Sequence, residues 1–448
     1  MSSRNTPPQP TLRWSISAAP FALALALAPG LGCAEDEPTR FEITVENITP
    51  SSSIYDVRAL EATQPDADPD TLEPGESWRC VVPSAPGARL QILAKLSGFD
   101  DAYVALEPGG MPMWSYGLSP LAPMEGDRSD ILVVFDAGSG GDGEVASPPH
   151  QGPVTRLRQG GEGGEADPDA SLMAMPAVED LFSLRTRELG DWSFEVTVEN
   201  LATPDKAWPN GLGEPRLIGG VCVVLDENAR LFEIGSRASD ELLALAEDGD
   251  PEPLITAIRE GSGIASDLSA VLWAKHDGDG ALYDPGEFAT PGLEHFAEDA
   301  FALTRLHEIR DDATFDDFGL VLPLDGWTMV PGERVRFQLE AYPGDRLTVM
   351  SAYLAANDYI VGTGRTGIPL FDQGVPNVGA HDEYLELVDV GTEVDEAPGL
   401  GPNQYIYQPD SGGGWLEGIR AEVVDGEDDG WLHPRADEVM RVTIEIVD

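Results

Sequence analysis

Two short stretches, Phe41-Glu-Ile-Thr-Val-Glu-Asn47 and Phe194-Glu-Val-Thr-Val-Glu-Asn200, are nearly identical although they lie far apart in the chain. In both, apolar residues alternate with polar ones, and this period of two is typical of a strand with one buried face. Residues 334–340 and 441–446 alternate in the same way. The sequence therefore predicts β-strands and a duplicated domain.

Further matches extend the duplication along the chain. Three of them share one spacing without a gap: Pro74-Gly-Glu76 with Pro331-Gly-Glu333, Pro86-Gly-Ala-Arg-Leu90 with Pro343-Gly-Asp-Arg-Leu347, and Asp101 with Asp358. Chance similarity rarely keeps a single spacing over so many residues, and self-similarity of this kind decides the architecture. We predict a first repeat at residues 40–165, a linker at 166–190 and a second repeat at 191–448.

The second repeat is longer than the first, and its extra segment is itself duplicated. Leu231-Phe-Glu-Ile-Gly235 is echoed by Leu282-Tyr-Asp-Pro-Gly286. Only residues 238–247, 253–260 and 293–306 have helical spacing, and all three lie in this insert. The expected fold class is mainly β, with two tandem antiparallel β-sandwiches, the second of which carries a short helical insert.

The first 34 residues have the pattern of a secretory signal. Arg4 and Arg13 precede an apolar run at residues 15–31, and acidic residues follow at once. Two cleavage positions fit. Gly32-Cys33 resembles a lipoprotein signal, in which Cys33 is acylated, whereas Ala34 fits ordinary cleavage. In both cases we expect an extracytoplasmic protein, either secreted or anchored by lipid at the outer membrane or cell surface.

The net charge of the chain limits the kinds of molecule that we expect it to bind. The chain has 27 Lys and Arg against 80 Asp and Glu, a formal net charge of −53. Nucleic acids and anionic membrane surfaces both require a basic face, so neither is an expected partner. A membrane is expected only through the N-terminal lipid. The sequence also contains no H-E-x-x-H and no G-x-S-x-G, two motifs of hydrolytic enzymes.

Apart from Cys33, the chain has two cysteines, Cys80 and Cys222. A disulfide between them suits an oxidising compartment. Two buried free thiols suit the sequence equally well, and the residues alone leave both alternatives open. No C-x-x-C pair is present, so thiol redox chemistry is not indicated.

Several segments together resemble the spondin domain, the N-terminal module of F-spondin and mindin. They are Val-Thr-Val-Glu-Asn near the repeat start, Leu231-Phe-Glu-Ile-Gly235, Pro331-Gly-Glu333, Asn357-Asp358, and the run from Asp389-Val-Gly-Thr-Glu-Val-Asp through Gly401-Pro-Asn-Gln404. The resemblance covers nearly all of the second repeat, and the first repeat is a shorter, divergent copy. It implies a C2-like β-sandwich, an extracellular adhesive role, a calcium ion held by acidic loops, and no enzymatic activity.

The resemblance also implies which residues hold the ion. In the family these are an Asp on one loop and two acids of an Asp-x-Gly-Thr-acid motif, which here are Asp358, Asp389 and Glu393. Calcium prefers roughly six to eight hard oxygen ligands, and carboxylates are suitable donors. The alternative is that these aspartates are ordinary turn residues, since Asp is common in turns.

The first repeat keeps only part of this pattern. Asp101 and Asp136 align with Asp358 and Asp389, but Gly140 stands where the second repeat has an acid. The nearest substitutes are Asp100 and Asp142. Loss of one carboxylate of three weakens a calcium site severely, so the first repeat is expected to hold a degenerate, structural copy.

The sequence thus predicts a non-enzymatic, secreted or lipid-anchored binding or adhesion protein of the cell envelope, with calcium in its second spondin-like repeat. The expected partner is an extracellular or envelope protein or polysaccharide. Two alternatives remain open at this point. One is a carboxylate-based glycosidase of the envelope, because the separation of two acids in space cannot be read from the chain. The other is a structural surface protein without metal.

Overall fold

A computed structural model describes most of the chain between residues 37 and 447. The residues outside this description are 1–36, 116–120, 140–151, 158–175, 204–212, 262, 279, 325, 409–413, 425–429 and 448. The predicted leader, with Cys33, therefore lies outside the described residues, and so do Gly140 and Asp142 of the first repeat. No helix in the described part is long and apolar enough to span a membrane.

The described chain is mainly β, as the sequence predicts. Its sixteen strands of four or more residues, numbered in chain order, are β1 Thr39–Asn47, β2 Ile54–Ala59, β3 Ser77–Pro83, β4 Arg89–Leu96, β5 Ala102–Ala105, β6 Val133–Asp136, β7 Phe182–Gly190, β8 Ser193–Asn200, β9 Leu217–Leu225, β10 Val271–His276, β11 Asp317–Val321, β12 Arg334–Ala341, β13 Arg346–Ala352, β14 Tyr359–Thr363, β15 Leu385–Asp389 and β16 Met440–Ile446. Two-residue strands extend several sheets: Glu61–Ala62, Thr71–Leu72, Met111–Pro112, Gly126–Asp127, Thr155–Arg156, Leu268–Ser269, Thr328–Met329, Ile368–Pro369, Phe371–Asp372, Val375–Pro376, Gly379–Ala380 and Glu422–Val423.

The long strands form two pairs of antiparallel sheets, and each pair encloses a hydrophobic core. In the pair that we call sandwich one, a sheet of order β6-β5-β4-β9-β2 faces a sheet of order β3-β8-β7. In sandwich two, a sheet of order β11-β10-β13-β14-β15 faces a sheet of order β12-β1-β16. Each sandwich therefore contains eight of the long strands, arranged in the same spatial order.

The two nearly identical strands that begin the sequence repeats are exchanged between the sandwiches. β1 belongs to the first repeat, yet Phe41 pairs with Leu339 of β12 and Ile446 of β16 in sandwich two. β8 belongs to the second repeat, yet Phe194 pairs with Val82 of β3 in sandwich one. The boundaries expected from the sequence, 40–165 and 191–448, therefore differ from those of the two sandwiches.

Both exchanged strands end at a buried asparagine whose side chain forms hydrogen bonds with the sandwich that the strand joins. The Asn47 amide nitrogen donates hydrogen bonds to the carbonyls of Ser266 and Met329, at 2.8 and 2.7 Å. The Asn200 amide nitrogen donates to the carbonyls of Leu72 and Pro215, at 3.0 and 2.8 Å. A buried amide is costly unless it is bonded, so each Asn favours the sandwich that supplies these carbonyls.

The α-helices of the described residues are α1 Asp240–Leu243, continued by a π turn at Ala244–Asp248, α2 Glu252–Gly261, α3 Pro291–Asp299, α4 Ala302–Asp311 and α5 Ala436–Val439. Two begin at hydroxyl N-caps, Ser239 before α1 and Thr290 before α3. Helices α1 and α2 pack on the outer face of the sheet that contains β4, and α3 and α4 pack on the outer face of the sheet that contains β13. The sequence assigned both pairs to the second repeat, whereas each sandwich has its own pair.

The connection between the repeats also differs from the expected linker at 166–190. Residues 182–190 of that segment form β7, which pairs with β8 along its whole length. The contacts of residues 38–448 make them one compact unit. The exchange of β1 and β8 accounts for this, because each repeat completes the sandwich of the other.

The sulfur atoms of Cys80 and Cys222 are bonded. Cys80 lies in β3 and Cys222 in β9, so the bond joins the two facing sheets of sandwich one. These cysteines come from different sequence repeats, and they meet because β8 and β9 complete the first sandwich. The structure thus has the disulfide, one of the two alternatives that the sequence left open.

Candidate metal centre

Three carboxylates meet at one end of the β13 sheet in sandwich two. Asp358 directly precedes β14 and Asp389 is the last residue of β15, and Tyr359 pairs with Asp389 across these two strands. Asp395 comes from the segment that follows β15. Each of the three places a carboxylate oxygen within 4.8 Å of the other two.

Backbone amides fix two of these carboxylates in place. Oδ2 of Asp358 accepts hydrogen bonds from the amides of Thr392 and Glu393, at 2.8 and 3.0 Å. Oδ1 of Asp389 accepts a bond from the amide of Gly391 at 2.7 Å. Gly391 has a φ of +68°, in the left-handed region, and a side chain there would collide with Ile419. The Asp-x-Gly-Thr motif thus folds into a turn whose backbone amides orient its own Asp389 and the neighbouring Asp358.

One oxygen of the buried Asp358 remains open. Its side chain is fully buried, and Oδ1 has no hydrogen-bond partner. Among the described residues, no Lys or Arg side chain lies within ion-pair distance of Asp358 or Asp389. Buried carboxylates without a counter-charge are costly, so these residues form a candidate site for a cation.

Burial and the neighbouring carboxylates raise the pKa values of Asp358 and Asp389. Burial, followed by the neighbouring carboxylates of Asp358 and Asp395, raises the pKa of Asp389 strongly. Burial also raises the pKa of Asp358, although the amides of Glu393 and Thr392 oppose the change. All the acidic neighbours act in the direction that disfavours the charged form.

Glu393, which the family resemblance included in the site, lies beside the three aspartates. Its Oε1 accepts a hydrogen bond from the Gly414 amide at 2.9 Å, and its Oε2 has no partner. Burial and the neighbouring Glu298 carboxylate raise the pKa of Glu393 to about 7. Asp395, two residues further along, takes its place in the group of three. The sequence shows that both acids follow Asp389, but it gives no sign of which one approaches it.

Glu298 of α3 is a second acid that the sequence did not point to. It is buried, and its Oε1 has no hydrogen-bond partner. Burial raises the pKa of Glu298 to about 7, and the carboxylates of Glu294 and Asp358 act in the same direction. With Glu393, it surrounds Asp358 with further carboxylates. The sequence indicated that Glu298 lies in a helix, but it did not indicate where that helix packs.

Sandwich one repeats the framework of this site with different chemistry. Oδ2 of Asp101 accepts hydrogen bonds from the amide and hydroxyl of Ser139, as Asp358 does from Thr392. Asp136 accepts a bond from the Gly138 amide at 2.6 Å. Within the described part of this sandwich, however, no three potential ligands come together.

A lysine supplies positive charge at this end of sandwich one. The Lys95 ammonium donates hydrogen bonds to the carbonyls of Phe99, Asp100, Ala246 and Glu247, at 3.3, 3.0, 2.8 and 2.5 Å. The carboxylates of Asp100 and Asp101 attract it as well. Ala352 has the equivalent position in sandwich two. Sandwich one thus places a lysine ammonium at this end, whereas the equivalent position in sandwich two is an alanine.

No protein-family model matches this chain, and no curated protein matches it. The spondin resemblance therefore rests on the residues quoted above, and the metal site rests on the geometry of Asp358, Asp389 and Asp395.

Proposed function

We propose that the protein is a non-enzymatic binding or adhesion protein of the cell envelope, of the spondin type, with calcium bound in sandwich two. The observation that carries this proposal is the buried group of Asp358, Asp389 and Asp395, with an open oxygen on Asp358. Like charges at such distances repel one another unless a cation lies among them.

The donor set favours calcium over other metals. All three ligands are carboxylates, which suit hard cations, whereas zinc and copper sites usually include His or Cys. Two more oxygens nearby, Oδ1 of the buried Asn357 and Oε2 of Glu393, have no hydrogen-bond partner. Calcium tolerates a large and irregular ligand shell, so it suits a site with several adjacent oxygens better than magnesium does.

Thermal unfolding of the intact protein, with calcium and with chelator, tests this proposal. A ligand at about 100 times its Kd stabilises the native state by about 2.7 kcal/mol, so calcium should raise the Tm by several degrees. Asp389→Asn should abolish most of this difference, because it removes a charged ligand with little change in shape. The matched Asp136→Asn in sandwich one should retain it. An equal loss in both variants, or no calcium effect, would contradict the site.

A loop with exposed apolar residues connects the metal site to a binding role. Trp415 and Leu416 are 80% and 81% exposed. The carbonyl of Trp415 accepts a hydrogen bond from the Val394 amide at 2.7 Å, directly between Glu393 and Asp395. A cation bound by Asp395 would therefore restrict the movement of this loop through the hydrogen bond between Val394 and Trp415. Binding of the mature protein to envelope polysaccharides and to its own cells, with and without chelator, tests the role; binding that ignores the chelator would refute its dependence on calcium.

The proposed location is the cell surface, through a lipid on Cys33. The Gly32-Cys33 junction after the apolar run supports it. We expect the protein to partition into detergent when it is made in a host that processes lipoproteins, and Cys33→Ser to release it. A mature N-terminus at Glu35, found by mass spectrometry, would show ordinary cleavage instead.

A further inference from the structure

The two sandwiches differ at one buried position, where Lys95 of β4 corresponds to Ala352 of β13. Lys95 pairs with Tyr103 of β5. Ala352 pairs in the same way with Ile360 of β14. Lys95 is only 9% exposed, and its ammonium donates hydrogen bonds to four backbone carbonyls. Ala352 is fully buried, and its methyl group supplies neither the charge nor the donors of a lysine.

Two of these four carbonyls have counterparts in the loop after β13. In sandwich one they belong to Phe99 and Asp100, at 3.3 and 3.0 Å from the ammonium. The loop after β13 has Ala356 and Asn357 at the same spacing from Ala352. Both are buried, and among the described residues no donor bonds to either carbonyl. A buried carbonyl without a partner is costly, so these two oxygens are available to a bound cation.

The other two carbonyls have counterparts in the last turn of α3. The segment Ala246-Glu-Asp248, whose first two carbonyls bind Lys95, recurs as Ala297-Glu-Asp299. In both copies the next residue is left-handed, Gly249 at a φ of +72° and Ala300 at +55°. The two segments therefore end in the same way. Carbonyls in the last turn of a helix have no partner within it and lie at the negative end of its dipole, so they favour a cation.

Glu298 adds a carboxylate at this place in sandwich two. Its counterpart in sandwich one, Glu247, is exposed, whereas Glu298 is only 4% exposed. The Oε1 atom of Glu298 has no hydrogen-bond partner. Because an unpartnered carboxylate oxygen is costly to bury, the position of Glu298 indicates a positively charged ligand.

We propose that sandwich two binds a second calcium ion at the place that corresponds to the Lys95 ammonium. Its protein ligands are the carbonyls of Ala297, Glu298, Ala356 and Asn357 and the carboxylate of Glu298. Carboxylates and backbone carbonyls, completed by water, suit the roughly six to eight oxygen ligands of calcium. This ion is separate from the one proposed at the three aspartates, and its binding does not depend on that proposal.

The calcium content of the intact protein tests this assignment, after equilibrium dialysis against about 1 mM calcium in about 0.15 M salt, which screens weak binding to the acidic surface. We expect two ions for each wild-type chain. Glu298→Gln should lose one ion, because it removes the charged ligand of the second site. Asp389→Asn should lose the other, and the double variant should bind none. Glu247→Gln is the matched control in sandwich one and should keep both ions.

Ala352→Lys tests the correspondence with Lys95 directly. Its ammonium should take the place of the second ion, so the variant should bind one calcium fewer than the wild type. In chelator its Tm should exceed that of Ala352→Met by several degrees, because Met fills the same space without a charge. Glu298→Gln keeps the test decisive even if a longer side chain at Ala352 impairs folding.

The second site is overturned if the wild type binds no calcium, if Glu298→Gln keeps every ion of the wild type, or if Glu298→Gln and Asp389→Asn remove the same ions. The last result would mean that both acids belong to one site. If Asp389→Asn keeps every ion while Glu298→Gln removes one, the second site stands and the site of the three aspartates is wrong. The two proposals therefore fail in different ways.

Discussion

Phe41→Ala is expected to destabilise sandwich two and to leave the strand pairing of sandwich one intact. Phe41 is fully buried between β12 and β16, where it faces Leu339 and Ile446. Truncation of a buried Phe to Ala typically costs about 3–5 kcal/mol, because contacts are lost and a cavity remains. Hydrogen exchange should therefore accelerate in the backbone amides of β12 and β16.

Phe194→Ala is the matched control, because Phe194 has the same place in the second copy of the strand. It is fully buried and pairs with Val82 of β3. Its loss should accelerate exchange in β3 and β7 while β12 and β16 stay protected. If each repeat instead kept its own first strand, the two variants would give the opposite patterns. The pair of measurements thus decides whether the strands are exchanged.

The sequence predicted the strands themselves but not their partners. The alternation in residues 41–46 and 194–199 identifies a strand and its buried face, since both are local properties. The two copies are so similar that they give no information on which sandwich each one joins. That choice depends on distant groups, such as the carbonyls of Ser266 and Met329 that receive the Asn47 amide. The duplication of the insert also has a structural reason. Each sandwich contains one copy of the insert, which supplies one strand and one pair of helices to it.

The candidate metal site shows the same division between local and tertiary information. Asp358 and Asp389 could be found because each lies in a turn whose sequence is distinctive. The sequence pointed to Glu393 and not to Asp395, since the positions of two acids on one loop depend on where each side chain points. Glu298 approaches from α3, whose packing on the β13 sheet is a tertiary property. Local patterns therefore located the loops, and only the folded chain shows which carboxylates lie together.

In chelator, the protein should become less stable as the pH rises from about 5 to 8. Burial and neighbouring carboxylates raise the pKa of Asp358 and Asp389, and they raise the pKa values of Glu298 and Glu393 to about 7. The folded state therefore binds more protons than the unfolded chain, whose carboxyl groups titrate near pH 4. The contribution of these protonated carboxyl groups to the free energy of unfolding is fully present below the pKa of the unfolded chain. It is lost as the pH rises through the higher pKa values of the folded state.

Calcium should reverse this dependence, because its binding must expel the same protons. One proton released throughout the range strengthens binding about tenfold per pH unit, so the affinity should rise about 100-fold between pH 5.5 and 7.5. Calorimetry in two buffers of different ionisation enthalpy measures both the Kd and the number of protons released. Asp389→Asn should flatten the dependence, since it removes one titrating ligand, whereas Asp101→Asn in sandwich one should leave it as in the wild type. A calcium Kd that is independent of pH would mean that the ion does not displace these protons, and hence that it binds elsewhere.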